Sequence, residues 1–257
     1  MARQARVSAG GAAGEGGEGR DSSGGLVLAL DAGSPVVSVA VGHGGDVLAA
    51  GAVALQHSST QLLALVADVL EAAAALPADL VGVVALAGPG SFTGLRVALA
   101  TALGLVQGLG VRAQAIPTLA ALAAASEAPP GGLVIAAVDA LRGEWSAQAF
   151  RAGPVPEPLG EMTLVPAGEL LERLAPWAAT DDPPEIIAFG VSALRRGPDA
   201  AGGWARFREA PPLAPAALRL AAALPTASWR AASLSAPIYA RPPATTAPKP
   251  RPESPQP

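Results

Sequence analysis

Cysteine is absent, lysine occurs once, histidine twice, and aromatic residues make up only 4 % of the 257 residues. Without cysteine, disulfides, thiolate nucleophiles, iron–sulfur clusters and Cys-based zinc sites are excluded. The two histidines, His43 and His57, lie fourteen apart rather than at the helix spacing of a zincin, so a His-rich metal centre is not built. Lys249 stands in a Pro-rich C-terminal stretch, against 16 arginines in the chain. A P-loop lysine or a Schiff-base lysine is therefore missing from the body. Charged residues amount to 15 %, the net charge is −4, and no basic cluster exceeds Arg195-Arg196. Direct, strong binding to nucleic acid is not expected from such a chain. The N-terminal stretch has no apolar segment of a secretory signal. The longest uncharged run of the body, 47–67, is interrupted by Gln56-His57-Ser58-Ser59-Thr60. Neither export nor a membrane span is expected, and the cytoplasm is the expected location.

What is abundant is glycine, proline and small apolar residues: 30 Gly, 26 Pro and 51 % hydrophobic. A chain this apolar is not intrinsically disordered. The breakers cluster instead, with 8 Gly in residues 1–25 and 7 Pro in residues 242–257. Those two segments read as disordered tails. Between them the sequence predicts two lobes, 26–127 and 128–241, with cores built from Ala, Val and Leu.

From residue 26 the hydrophobic pattern is regular. Short β-rich runs at 26–30, 36–41 and 46–53 predict a meander. Apolar residues at 62, 63, 66, 69, 70 and 73 predict a helix over 57–75, with His57 a packing or capping residue at its start rather than a catalyst. A buried strand at 80–87, a helix at 92–108, a strand at 111–115 and a helix at 118–126, N-capped by Thr118, follow. In the second half, strands at 133–138, 144–150 and 186–189 and helices at 167–174 and 214–224 are read more sparsely. Three meander strands followed by βα units fit a ribonuclease-H-like α/β sheet; two copies of it make the two-lobed actin, Hsp70 and sugar-kinase architecture.

The most specific segment is Gly88-Pro89-Gly90-Ser91-Phe92-Thr93-Gly94-Leu95-Arg96, between a buried strand and a helix. Glycines there admit close backbone approach, and a helix N-terminus favours an anion, so a phosphate loop is one reading. A tight strand-to-helix turn capped by Ser91 is the other. The string fails the P-loop and nucleophile-elbow templates and misses the dinucleotide fingerprint by one residue; Gln114-Ala115-Ile116-Pro117 supplies no ribose-binding acid. Asp31-Ala32-Gly33-Ser34 resembles the first phosphate hairpin of actin-like ATPases, or is a plain turn. The matching turn of the second half, Asp139-Ala140-Leu141-Arg142-Gly143-Glu144, lacks a glycine directly after its Asp. Asp31, Ser34, Gly88, Gly90, Ser91 and Asp139 are thus candidates for a degenerate nucleotide site.

Residues 97–111 carry no charge, and Gly94, Ala98, Thr101, Gly104 and Gly108 recur at three- and four-residue spacing. Such a helix is either buried between lobes or covered by a partner.

Leu28-Ala29-Leu30-Asp31, Gln56-His57-Ser58 with Leu62-Leu63, the 88–96 string, Val138 to Glu144 and Pro237-Ile238-Tyr239-Ala240-Arg241 together resemble the TsaB (YeaZ) family of bacterial tRNA threonylcarbamoyladenosine biosynthesis proteins, in order over 26–241. The resemblance implies an actin-like fold without a competent nucleotide site, and a subunit that is not an enzyme by itself. It also implies homodimerisation or pairing with a TsaD-type catalytic paralogue, which transfers threonylcarbamoyl to the adenosine beside the anticodon. A TsaE-type ATPase completes the assembly. ATP and metal then belong to the partner subunits, no cofactor or metal to this chain, and tRNA is met only through the complex. The implied pairing surface takes Leu62, Leu63, Val66, Val69 and Leu70 from one helix and Ala98, Thr101, Gly104 and Gly108 from the next. The chain departs from the family at Asp31-Ala32-Gly33-Ser34, where Asp-Thr-Ser is usual, and at Trp145, where a small apolar residue is common. The alternative is an actin-like-fold ATPase or small-molecule kinase using Asp31, the Gly88 loop and Asp139, which the missing lysine and second phosphate turn disfavour. A dinucleotide-binding module is disfavoured by the missing ribose acid.

Overall fold

The computed structural model describes residues 6–9, 25–54, 58–174, 183–196 and 205–241. Alternation of side chains builds the first sheet. Strands β2 (Leu26–Asp31), β3 (Val36–His43) and β4 (Asp46–Ala54) form the antiparallel meander, and β5 (Leu80–Gly88) and β6 (Arg112–Pro117) add in parallel beside β2. Leu28, Leu30, Val39, Val41, Val83 and Ala85 point to one face, and Ala29, Ala40, Val84 and Leu86 to the other. On the first face lie helices α1 (Ser58–Ala72) and α2 (Phe92–Leu109). Helix α2 buries the stripe Gly94, Leu95, Ala98, Leu99, Ala102 and Val106, starts at Ser91, and ends on the left-handed Gly110. By length and composition α2 is apolar enough to cross a membrane; in the fold it lies along β5 and β2.

The second sheet repeats the plan. Strands β7 (Leu133–Asp139), β8 (Glu144–Arg151) and β10 (Thr163–Pro166) are antiparallel, β11 (Glu185–Ala188) and β12 (Arg206–Glu209) run parallel to β7, and the short β9 (Glu157–Pro158) pairs with β8. The orders β4-β3-β2-β5-β6 and β10-β8-β7-β11-β12 are the same ribonuclease-H-like order, so the chain is a two-lobed α/β actin-like fold.

The lobes share a core. Helix α3 (Thr118–Ala124) packs on β7 and β8, while α5 (Ala214–Ala223) packs on β2, β3, β4 and β5, and the two helices touch. One cluster therefore runs from Ala29, Ala40 and Leu86 through Leu122 and Ala217 to Val134, Phe150 and Ile187. Small residues on the inner face of the first sheet let α5 approach. Its first N–H, Ala214 N, donates to the buried Ser38 Oγ of β3 at 3.1 Å, a cap lent by the other lobe.

Four details differ from the sequence reading. Within 1–25, Arg6–Ala9 forms strand β1, an antiparallel edge on β4; residues 10–24, like 242–257 and His57, lie outside the described residues. Thr118 is not the N-cap of α3 but its first helical residue, buried, with Pro117 in the cap position. The helix expected at 167–174 is confined to α4 (Leu170–Leu174), because the chain before it is drawn into β10 on the sheet edge. Strands β9, β10 and β12 were not foreseen.

Candidate functional site

The ends of β2, β5 and β7 meet at a cleft between the lobes with a volume of about 750 Å³, and Ser34, Gly90, Ser91 and Asp139 all line it. Asp31 is fully buried behind that lining. Its Oδ1 accepts the N–H groups of Gly33 at 2.9 Å and Ser34 at 3.2 Å, while Oδ2 has no hydrogen-bond partner. Burial pushes the carboxyl up to about 6 from its ordinary 3.8, against the pull first of the Ser34 hydroxyl and then of the Ser34 and Gly33 N–H groups. Asp31 thus acts as the knot of a turn.

That burial has a measurable sign. The native carboxyl takes up its proton at a higher pH than the unfolded one. The associated stability is complete below about pH 4 and is lost as pH rises through about 6, at about 1.4 kcal/mol per unit of displacement. Urea denaturation from pH 4 to 7 should show stability falling more steeply in the wild type than in Asp31→Asn. Parallel profiles would contradict the buried carboxyl.

The glycines of the 88–96 string are explained by the chain itself. A Cβ on Gly94 would stand 1.8 Å from the Ala32 carbonyl oxygen, one on Gly90 2.6 Å from that of Gly33, and one on Gly88 2.1 Å from that of Ile238, with φ of +111° at Gly88. The Ser91 N–H, which a phosphate cradle would present to the cleft, donates to Gly33 O at 2.8 Å. Ser91 Oγ accepts the Gly94 N–H at 3.3 Å, the cap of α2. The motif is a clasp in which the β5–α2 turn grips the β2–β3 turn.

The C-terminal segment finishes the clasp. Ile238 N–H donates to Ala87 O at 2.7 Å, and Tyr239 stacks on Phe92 with ring centroids 5.2 Å apart. Arg96 lies over the Phe92 ring at 3.9 Å, and its Nε donates to the Tyr239 hydroxyl at 3.4 Å. Arg241 then crosses to the second lobe and pairs with Glu144. There Asp139 Oδ1 accepts the Leu141 N–H at 2.7 Å, and Leu141, Arg142 and Gly143 all have positive φ. Residues 237–241 therefore strap the two lobes together along the rim of the cleft. Tyr239, the chain's single tyrosine, was the available signal for this contact in so aromatic-poor a sequence.

The implied pairing residues divide. Leu62, Val66, Val69 and Leu70 are buried in the first lobe's own core, as is Ala98, so they are not free for a partner. The apolar stripe of α1 is spent on the sheet. Leu63, 55 % exposed, remains outside, with Ala64 and Ala67 beside it. On α2, Thr101 is half-buried, and Gly104 and Gly108 are exposed with open space where a Cβ would stand. The outward faces of two adjacent helices therefore form a shallow surface of small residues.

Among the described residues no group of three or more His, Cys, Asp or Glu side chains is placed to hold a metal ion. The titratable side chains lining the cleft are Asp139, Arg142, Tyr239 and Arg241.

A family model for TsaD, tRNA N6-adenosine threonylcarbamoyltransferase, matches residues 51–156. The curated tRNA threonylcarbamoyladenosine biosynthesis protein TsaB of Escherichia coli (strain K12) is 31 % identical over 119 residues, which is 46 % of this chain and 52 % of that protein. That match thus spans about half the length of the curated relative. Among solved structures, YeaZ from Pseudomonas aeruginosa superposes with a TM-score of 0.70 and 27 % identity over 84 % of this chain and 99 % of that one. A second Pseudomonas aeruginosa structure, of a protein with similarity to peptidase YEAZ, gives 0.71 and 27 %, covering 84 % of this chain and all of that one. With the two-lobed fold and these likenesses together, the chain is similar to proteins of the TsaB (YeaZ) family.

Proposed function

We propose that this chain is a non-catalytic pairing and activating subunit in tRNA N6-threonylcarbamoyladenosine synthesis, supporting threonylcarbamoyl transfer by a TsaD-type paralogue. The observation that carries the reading is the outward face of α1 and α2, where Leu63, Thr101, Gly104 and Gly108 leave room for another helix pair to lie close. The clasp supports the non-catalytic half. Its glycines and the Ser91 N–H are engaged with Ala32, Gly33 and Ile238, and Asp31 is turned into the protein, so the parts an ATPase would use are otherwise occupied. In this reading the chain carries no catalytic cofactor, and ATP and metal act on partner subunits. A TsaE-type ATPase joins the assembly, tRNA is met through the complex in the cytoplasm, and the same helix face makes a homodimer when the paralogue is absent. No observation favours the kinase alternative.

Gly104→Leu tests it. The side chain enters open space, so the fold should survive, while pairing with a TsaD-type subunit in sizing chromatography should be lost. Threonylcarbamoyladenosine formation on tRNA in the reconstituted mixture should fall with it. A variant that pairs as well as the wild type would sink the interface, and unchanged product formation without the chain would sink the activating role.

A further inference from the structure

Each lobe leaves a large apolar side chain uncovered in the lining of the cleft. Phe92 of the first lobe is 45 % exposed and Leu141 of the second is 70 % exposed. Leu141 is held out by a left-handed backbone, with φ of +62°, and Arg142 follows at +56°. Residues with side chains adopt that conformation at a cost, and such outliers gather where a surface has work to do. Phe189 and Tyr239 add two more rings to the same lining. The pairing face of α1 and α2 makes no use of this apolar wall.

The chain itself supplies a segment of matching chemistry. Tyr239, Ala240 and Arg241, the last described residues, are part of the lining, so residue 242 begins at the cleft. Sixteen residues follow, 242–257, and 7 of them are Pro. A sequence so rich in proline favours polyproline II, which is extended before it docks, loses little freedom on docking and is received by aromatic-lined grooves. Charge matches as well. Pro248-Lys249-Pro250-Arg251-Pro252-Glu253 presents two cations and then an acid. In the lining, Asp139 is the one acid and Arg142 stands three positions on, and neither forms an ion pair among the described residues, whereas Arg241 is engaged by Glu144. Eight positions lie between Arg241 and Lys249, about 25 Å as polyproline II, which suffices to cross the cleft.

We propose that residues 242–257 dock in the cleft of their own chain as a polyproline II segment, with prolines against Phe92, Leu141 and Tyr239 and the Lys249–Arg251 cations at Asp139. No bond is made or broken. The docked segment prolongs the strap of residues 237–241 and keeps other molecules out of the cleft. It leaves Leu63, Gly104 and Gly108 uncovered, so it stands independently of the pairing role.

The absence of cysteine makes the test clean, because Ser254→Cys in the full chain takes a single nitroxide label. In nitrogen-15 spectra the amide signals of Gly33, Leu141 and Phe189 should lose intensity to the label, while those of Gly104 and Gly108 keep theirs. Lys249→Glu with Arg251→Glu, confined to the segment and therefore harmless to the folded lobes, should restore the cleft signals. So should the unlabelled peptide 242–257 at about 10 mM, above the roughly millimolar effective concentration that a short tether provides. Equal intensities at the cleft and at Gly104 and Gly108 would overturn the docking. Loss that survives the double variant would overturn the charge match, and loss that survives the peptide would overturn the cleft as the seat. Loss of cleft signals when labelled chain is mixed with unlabelled nitrogen-15 chain would place the segment in a second copy and overturn docking within one chain.

Discussion

Gly94→Val should cost the protein at least about 4 kcal/mol, a large part of the roughly 5–15 kcal/mol that ordinarily holds a domain folded. The reason is what stands opposite. A Cβ at position 94 meets the Ala32 carbonyl oxygen at 1.8 Å, and that oxygen is backbone, fixed on the far side by the Asp31 turn. Overpacking against a side chain is usually relieved by a rotamer change, and the cost stays near 1–3 kcal/mol. Here relief requires α2 to lift off the β2–β3 turn, which also breaks the Ser91 N–H bond to Gly33 O and the contact of Leu95 with Gly33. Gly104→Ala is the control. It sits in the same helix with nothing near its Cβ, so it should gain about 0.5–1 kcal/mol from helix propensity. Urea denaturation followed by circular dichroism reads both. A Gly94→Val protein within 1 kcal/mol of the wild type would mean that the β5–α2 turn is not clasped as described.

The contrast between Gly94 and Gly104 also marks how far the sequence is legible. Both fall on one small-residue stripe, and periodicity shows that a close approach occurs along it. What approaches is not local information: at Gly94 it is the chain's own β2–β3 turn, and at Gly88 it is a carbonyl in the far C-terminal segment. The same limit governs α1. Its three- and four-residue spacing marks Leu62, Val66, Val69 and Leu70 as a face, and the most apolar face is the one a lobe keeps for its own sheet. A partner is left with the remainder, Leu63 and the small residues beside it.

The first sheet was readable because its strands are long and apolar. Strand β12 was not, since Arg206-Phe207-Arg208-Glu209 carries charge at three of four positions and is held by parallel pairing with β11. Strand β10 buries only Val165 and ends in Pro166, as an edge strand can. Asp31 was readable as a turn residue, and its burial followed only from α2 closing over it.

Where sequence divides the chain at residues 127 and 128, packing unites it, and this sets the second large effect. Leu122 is fully buried in the cluster that α3 and α5 fill between the two sheets. Leu122→Ala should cost about 3–4 kcal/mol, the transfer of a leucine side chain plus a cavity whose walls belong to both lobes and relax little. The distribution of that loss is the sharper expectation. Because α5 follows the second sheet in the chain but rests on the first, with Ser38 capping it, neither lobe retains a closed core when the other opens. Thermal unfolding should therefore stay a single transition in both proteins, shifted as a whole to lower temperature in the variant, with calorimetric and van't Hoff enthalpies equal. Two separated transitions, with only the earlier one moved by Leu122→Ala, would show that the lobes fold independently and that the shared core contributes little.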